Sequence, residues 1–128
     1  MIELRIRTSQ RVEAKNITSE VLNALQGKTG GIVHIYTPHT TCGLTINEEA
    51  DPHVIQDILE ALDRMAPPDY AYKHGEGNSD AHIKSTLTGC AVTVPLSDGS
   101  PSLGTWQGVF FMEFDGPRER KVYITVLD

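Results

Sequence analysis

Apolar and charged positions alternate from the second residue onward. Ile2, Leu4 and Ile6 share one face while Glu3, Arg5 and Arg7 share the other, the period of a half-buried strand. From Asn16 the period lengthens: Ile17, Val21, Leu22 and Leu25 line one helical face, Asn16 or Thr18 can cap its start, and Gly27 can end it. Gly30 and Gly31 then open Ile32-Val33-His34-Ile35-Tyr36, a β-branched run that predicts a more buried strand stopped at Pro38. After the turn Pro38-His39-Thr40-Thr41, residues 42–46 predict another strand that delivers Asn47, Glu48 and Glu49 at its end.

Asp51-Pro52 starts a helix, with an Asx cap and proline at the first helical position. Val54, Ile55, Ile58, Leu59 and Leu62 form its apolar face, and Pro67-Pro68 ends it. A polar loop over 66–79 leads to a further helix, capped by Ser79 or Asp80, in which Ile83 and Leu87 lie four apart on one face. Residues 91–95 predict a strand and 97–100 a turn, while 106–114 and 121–127 predict two long strands joined as a hairpin by Asp115-Gly116-Pro117-Arg118. Strands interrupted by separate helices indicate an α+β chain with a twisted antiparallel, sandwich-like core and helices packed outside. At 128 residues the chain is read as one domain, able to bury roughly two-thirds of its unfolded surface.

Charge narrows the partners. A formal net charge of −6, with 11 scattered Lys and Arg, does not supply the basic stripe that nucleic-acid backbones require. No apolar run approaches the roughly 20 residues of a membrane-spanning helix. Cys42 and Cys90 form no CxxC pattern and the N-terminal stretch has no signal-peptide core, so the expectation is a cytoplasmic protein with free thiols.

The chemistry concentrates in two stretches. His74-Gly-Glu-Gly-Asn-Ser-Asp-Ala-His82-Ile-Lys84 gathers imidazoles, carboxylates and an ammonium around two glycines, on a loop of a length that tends to be functional. The second stretch runs from Pro38-His39-Thr40-Thr41 to Asn47-Glu48-Glu49-Ala50-Asp51. Two or three neutral imidazoles with a carboxylate suit a divalent cation, zinc or magnesium, with surface histidines in local turn hydrogen bonds as the competing reading. Asp51 and Glu48 read equally as helix-terminus carboxylates and as acid–base groups. Lys84 and Arg118 are the cations best placed to meet an anionic ligand. His34 reads as a sheet-face residue and His53 as a surface residue in a first helical turn. Trp106, between Gly104 and Gly108, reads either as core or as the wall of a pocket or subunit contact.

In this order, His39-Thr40-Thr41, Leu44, Asn47-Glu48, Asp51, Gly77 to Lys84, Gly99, Leu103-Gly104-Thr105-Trp106-Gln107, Glu113 and Gly116-Pro117-Arg118 resemble the YjbQ family, also called secondary thiamine-phosphate synthase enzymes. The resemblance covers nearly the whole chain. It implies an α+β sandwich-like fold and a homotrimer with its pocket near subunit boundaries. For activity it implies a transferase that forms thiamine phosphate from a pyrimidine diphosphate and a thiazole phosphate, as a minor activity. The resemblance places the site around His39, Asp51, His74 and His82 with Lys84 and Arg118 nearby; taken with the residue reading above, His82, Asp51 and Glu48 are expected to be catalytic. Lys84, Arg118, Thr40, Asn47, Asn78 and Gln107 are expected to bind the phosphorylated ligand, and His39, His74 and His82 a metal. A non-catalytic metal- or phosphometabolite-binding protein and a metal-dependent hydrolase use the same residues and stand as the alternatives.

Overall fold

The computed structural model describes residues 1–128. Its elements are β1 (Ile2–Arg7), β2 (Glu13–Asn16), α1 (Thr18–Ala24), β3 (Ile32–Tyr36), β4 (Cys42–Glu48), α2 (Pro52–Met65), α3 (Ser79–Thr88), β5 (Ala91–Ser97), β6 (Ser100–Pro101), β7 (Gln107–Glu113) and β8 (Glu119–Leu127). A five-stranded antiparallel sheet has the order β1-β8-β3-β5-β6, and a three-stranded one the order β2-β7-β4. The α+β, sandwich-like architecture expected from the sequence is what forms.

The strand β7 decides how the layers stack, because almost all of it is buried on both faces. Alternation sends Val109 and Phe111 to one side, where they meet α1 and the inner face of the larger sheet through Val33, Ile35, Val122 and Ile124. Phe110, Met112 and Phe114 point to the other side, against Ile55 of α2 and Ala81 of α3. One strand therefore feeds two cores, and the small sheet is the middle layer. No helix is long and apolar enough to cross a membrane.

The hairpin expected between residues 106–114 and 121–127 does not form. The strand β7 pairs with β2 and β4, while β8 pairs with β1 and β3. Residues 115–118 instead turn the chain from one sheet to the other.

The helix α2 starts and stops where the sequence places it: the Asp51 side chain accepts the His53 N–H at 2.9 Å, and Met65 is the last helical residue before Ala66-Pro67. The helix α3 is rotated from its expected orientation. Ile83 and Leu87 are exposed, at 38% and 51%, while Asp80, Ala81, Lys84 and Ser85 are buried. Its N-cap is Asn78, and Asp80 lies inside the helix. The inward polar face is possible because its charges are paired. Asp80 meets Arg11 at 3.1 Å and Lys84 at 3.4 Å, and Lys84 also meets Asp63 at 2.8 Å.

Helix α3 sits directly on β4. The Ser85 hydroxyl donates to the Cys42 carbonyl at 2.6 Å, and the Leu44 N–H donates to the Gly89 carbonyl at 3.0 Å. Gly43 allows this approach, since a Cβ there would come within 2.8 Å of the Gly89 carbonyl oxygen. As β4 begins immediately after the Pro38-to-Thr41 turn, docking α3 on it brings His82 beside His39.

Candidate functional site

The β3–β4 turn, the loop before α3 and the β7–β8 corner meet at one end of the small sheet. Together they line a cavity of about 480 Å³ whose walls include His39, Thr40, His74, Asn78, His82, Arg118 and Arg120. A second, adjoining cleft shares Pro38, His39, Thr40 and His82. The imidazoles at 39, 74 and 82, separated by up to 43 positions in the chain, thus open on one space.

His74 and His82 stand edge to face with ring centroids 5.6 Å apart. His39 is held differently: its Nε2 accepts the backbone N–H of Lys121 at 2.9 Å. That contact uses the lone pair a metal would need and leaves the ring hydrogen on Nδ1. Burial pushes the His39 pKa down, and the Arg120 charge adds to this, so the ring is neutral near pH 7. No three His, Cys, Asp or Glu side chains are gathered closely enough to hold a metal ion. The donor set of the single chain therefore does not fit the three-histidine metal site expected from the sequence.

Behind the histidines lies a buried ion pair. Arg120 reaches Glu113 through both Nε, at 2.9 Å, and Nη2, and its Nη2 also donates to the Thr41 hydroxyl at 2.8 Å. Glu113, fully buried, accepts further hydrogen bonds from the Thr8 hydroxyl at 2.8 Å and the Asp115 N–H at 3.0 Å. Burial alone would raise the Glu113 pKa. The hydrogen bonds from Arg120, Asp115 and Thr8, with the Arg120 charge, together outweigh that effect and hold the carboxyl below its ordinary value. At the rim, Asp115 accepts from Asn78 Nδ2 at 2.9 Å and from Arg118 Nη2 at 3.1 Å.

Of the residues singled out in the sequence, His39, Thr40, His74, Asn78, His82 and Arg118 line the cavity. Five others do not. Lys84 is 1% exposed and spent on Asp63 and Asp80, because α3 turns that face inward. Glu48 and Asp51 lie at the opposite end of β4, a seven-residue strand, so roughly 20 Å of extended chain separates them from the histidine turn. There Asp51 caps α2, and Glu48 accepts the Asp51 N–H at 3.3 Å. Asn47 accepts its neighbour Glu48's N–H at 2.8 Å, and Gln107, opposite Glu48 in register, accepts the Gly104 N–H at 2.8 Å. In the single chain these five hold secondary structure together and are not part of the cavity.

Glu113 and Arg120 were not assigned a role in the site from the sequence, yet a signal for them exists. Glu113 shares a face of β7 with Val109 and Phe111, and Arg120 shares one of β8 with Val122 and Ile124. Opposite charges at core-facing positions of consecutive strands require each other.

Comparison with known proteins identifies the family and the fold. Residues 2–128 match the family described as UPF0047 protein YjbQ-like. The chain belongs to this family. It is 48% identical to UPF0047 protein MJ1081 of Methanocaldococcus jannaschii, over 99% of this chain and 94% of that one. With UPF0047 protein YugU of Bacillus subtilis the identity is 47%, over 97% and 96%. Among solved structures, an uncharacterised conserved protein of the YjbQ/UPF0047 family from Clostridium acetobutylicum superposes with a TM-score of 0.95 at 46% identity, over 99% of this chain and all of that one. The conserved hypothetical protein TT1486 of Thermus thermophilus gives 0.93 at 45% identity, with the same coverage. Membership of the YjbQ-like family fixes the architecture and identifies no reaction.

Proposed function

We propose that the histidine-lined cavity binds a small phosphorylated metabolite and that the protein has, as a minor activity, the transfer reaction that forms thiamine phosphate. The observation that carries this reading is the convergence of His39, His74 and His82 with Arg118 and Arg120 on a single cavity. In the reaction, a thiazole nitrogen attacks the methylene carbon of the pyrimidine diphosphate. The carbon–oxygen bond breaks, and the diphosphate departs with the bonding electrons. Arg118 and the imidazole N–H groups would stabilise the charge growing on that leaving group. Removing one preorganised contact of this kind costs about 3 kcal/mol, roughly a hundredfold in rate. Steady-state turnover of the two precursors tests the proposal: His82→Ala is expected to lose at least that factor, and a variant as active as the parent would overturn it. Stoichiometric zinc or magnesium in protein purified without added metal, lost on replacing His74 and His82 with alanine, would assign the expected cation to that close pair.

A second reading, a binding protein without turnover, is favoured by one observation. Glu48 and Asp51, the carboxylates expected to handle protons, are at the far end of β4. Tight binding of both precursors without product would select it.

The same proposal includes a homotrimer in the cytoplasm. Ile83 and Leu87, exposed on α3 beside the cavity residue His82, give an apolar stripe that a neighbouring copy could cover. Both cysteines are free, which suits a reducing compartment. Light scattering is expected to give three times the 14.1 kDa chain mass, and a monomeric mass at micromolar concentration would reject the assembly.

A further inference from the structure

Arg120 has the donor geometry of a ligand-binding residue. A guanidinium carries five N–H donors. In Arg120 the Nε and Nη2 groups are taken up by Glu113 and Thr41, while Nη1 meets no acceptor in the chain. Asn78 Oδ1 is the one polar side-chain atom that is both shut off from water and unpartnered. Arg120 Nη1 is therefore not sealed from its surroundings, and Arg120 is one of the residues lining the cavity, although the residue as a whole is 3% exposed. His39, on the same wall, has its Nε2 turned back to the Lys121 N–H, and its Nδ1–H has no acceptor.

We infer that Arg120 Nη1 and His39 Nδ1–H form a preorganised donor cradle for one phosphoryl group of the ligand, with Glu113 and the Lys121 N–H as the groups that aim them. The inference rests on the reading of the cavity as a site for a phosphorylated metabolite, and it names the atoms that would recognise the phosphoryl end. Glu113 occupies the fork edge of Arg120 that would otherwise grip a planar carboxylate in bidentate fashion. What remains are single donors arriving from separate elements, His39 and Thr40 from the β3–β4 turn, Arg118 from the β7–β8 corner and Arg120 from β8. Donors spread in this way suit the oxygens of a tetrahedral group. Both principal donors are fixed before the ligand arrives, so little side-chain ordering opposes binding.

Nuclear magnetic resonance of the unmodified protein tests this without any variant. Long-range nitrogen–proton spectra are expected to show His39 as the Nδ1–H tautomer. Titration with inorganic diphosphate, and more weakly with inorganic phosphate, is expected to shift the His39 ring and the Arg120 guanidinium signals, while acetate leaves them in place. A His39 ring protonated at Nε2, diphosphate that binds without moving either residue, or acetate binding as well as phosphate would each overturn the inference. Arg120→Lys keeps a charge opposite Glu113 and removes Nη1. Where that variant folds, diphosphate affinity should fall at least tenfold, and unchanged affinity would count against the cradle. Because this titration contains no thiamine precursor, it is read separately from turnover: diphosphate binding at these atoms, together with no product in the assay of the two precursors, would end the transferase reading and leave this inference standing.

Discussion

Replacing Glu113 with alanine is expected to lower folding stability by about 3–5 kcal/mol, the cost of leaving a buried charge without its partner. Arg120 is 3% exposed and Glu113 is wholly buried, so water cannot take the place of the lost carboxylate. The Thr8 hydroxyl and the Asp115 N–H would lose their acceptor at the same time. Urea denaturation would report the effect as a fall in the midpoint of more than 1 M, given slopes of about 1–3 kcal/mol/M. The double variant Glu113→Leu/Arg120→Met should recover the part of the loss that comes from the unpaired charge, because apolar residues of similar volume often replace a buried pair without penalty, while the Thr8 hydroxyl and the Asp115 N–H stay without their acceptor. A single-variant loss under about 1 kcal/mol, the size measured for exposed pairs, would mean that the pair is far more hydrated than its geometry indicates.

For Lys84→Met, the expected result is a loss of about 2–3 kcal/mol at neutral pH, the scale of a hydrogen bond to a charged group, with ligand affinity unchanged in the folded fraction. Lys84 is enclosed with Asp80, and Arg11 covers the other side of that carboxylate through hydrogen bonds of 3.1–3.2 Å. Burial by itself raises the Asp80 pKa, but the Arg11 hydrogen bonds and charge, followed by those of Lys84, bring it below its ordinary value. A depressed carboxyl pKa contributes stability above its unfolded value, near 3.8, and that contribution disappears as pH falls through the lower folded value. The difference between parent and variant should therefore shrink as pH falls from neutral through that lower folded value, below which a protonated Asp80 no longer favours the ammonium. Denaturation curves across an acid pH series measure the gap, and a gap that widened in acid would contradict the assignment. An affinity loss at constant stability would restore Lys84 to the ligand site, as the sequence first suggested.

Lys84 also shows why some of the site could not be read along the chain. Its position two residues after His82 in a polar stretch looked like part of the same cluster. Two residues advance a helix by about 200°, so the pair face nearly opposite directions, and His82 took the cavity while Lys84 took the interior. Ile83 and Leu87 were misleading in the complementary way. Their spacing marks a helical face, but it does not say whether that face meets the protein's own core. With Asp51, Glu48, Asn47 and Gln107 the reason is strand length: β4 starts at the cavity, and each residue along it moves away by about 3.3 Å.

Several features, in contrast, were determined by the sequence alone. The period-two run of β1, the β-branched run of β3, the strand segments of β5 and β8, the Asp51-Pro52 start and Ala66-Pro67 end of α2, and the glycine-containing polar loop before α3 follow from backbone preferences and local pattern. These depend only on neighbouring residues, so they are the same wherever the segment finally packs. Tertiary structure decided which strands paired, and it split β7 and β8 between two sheets. It decided that α3 buries its charges, and that Glu113 and Arg120, seven positions apart, meet behind three histidines from distant segments. Those outcomes come from competition among long-range contacts for a single interior, in which a charge is admitted only where its partner is already in place.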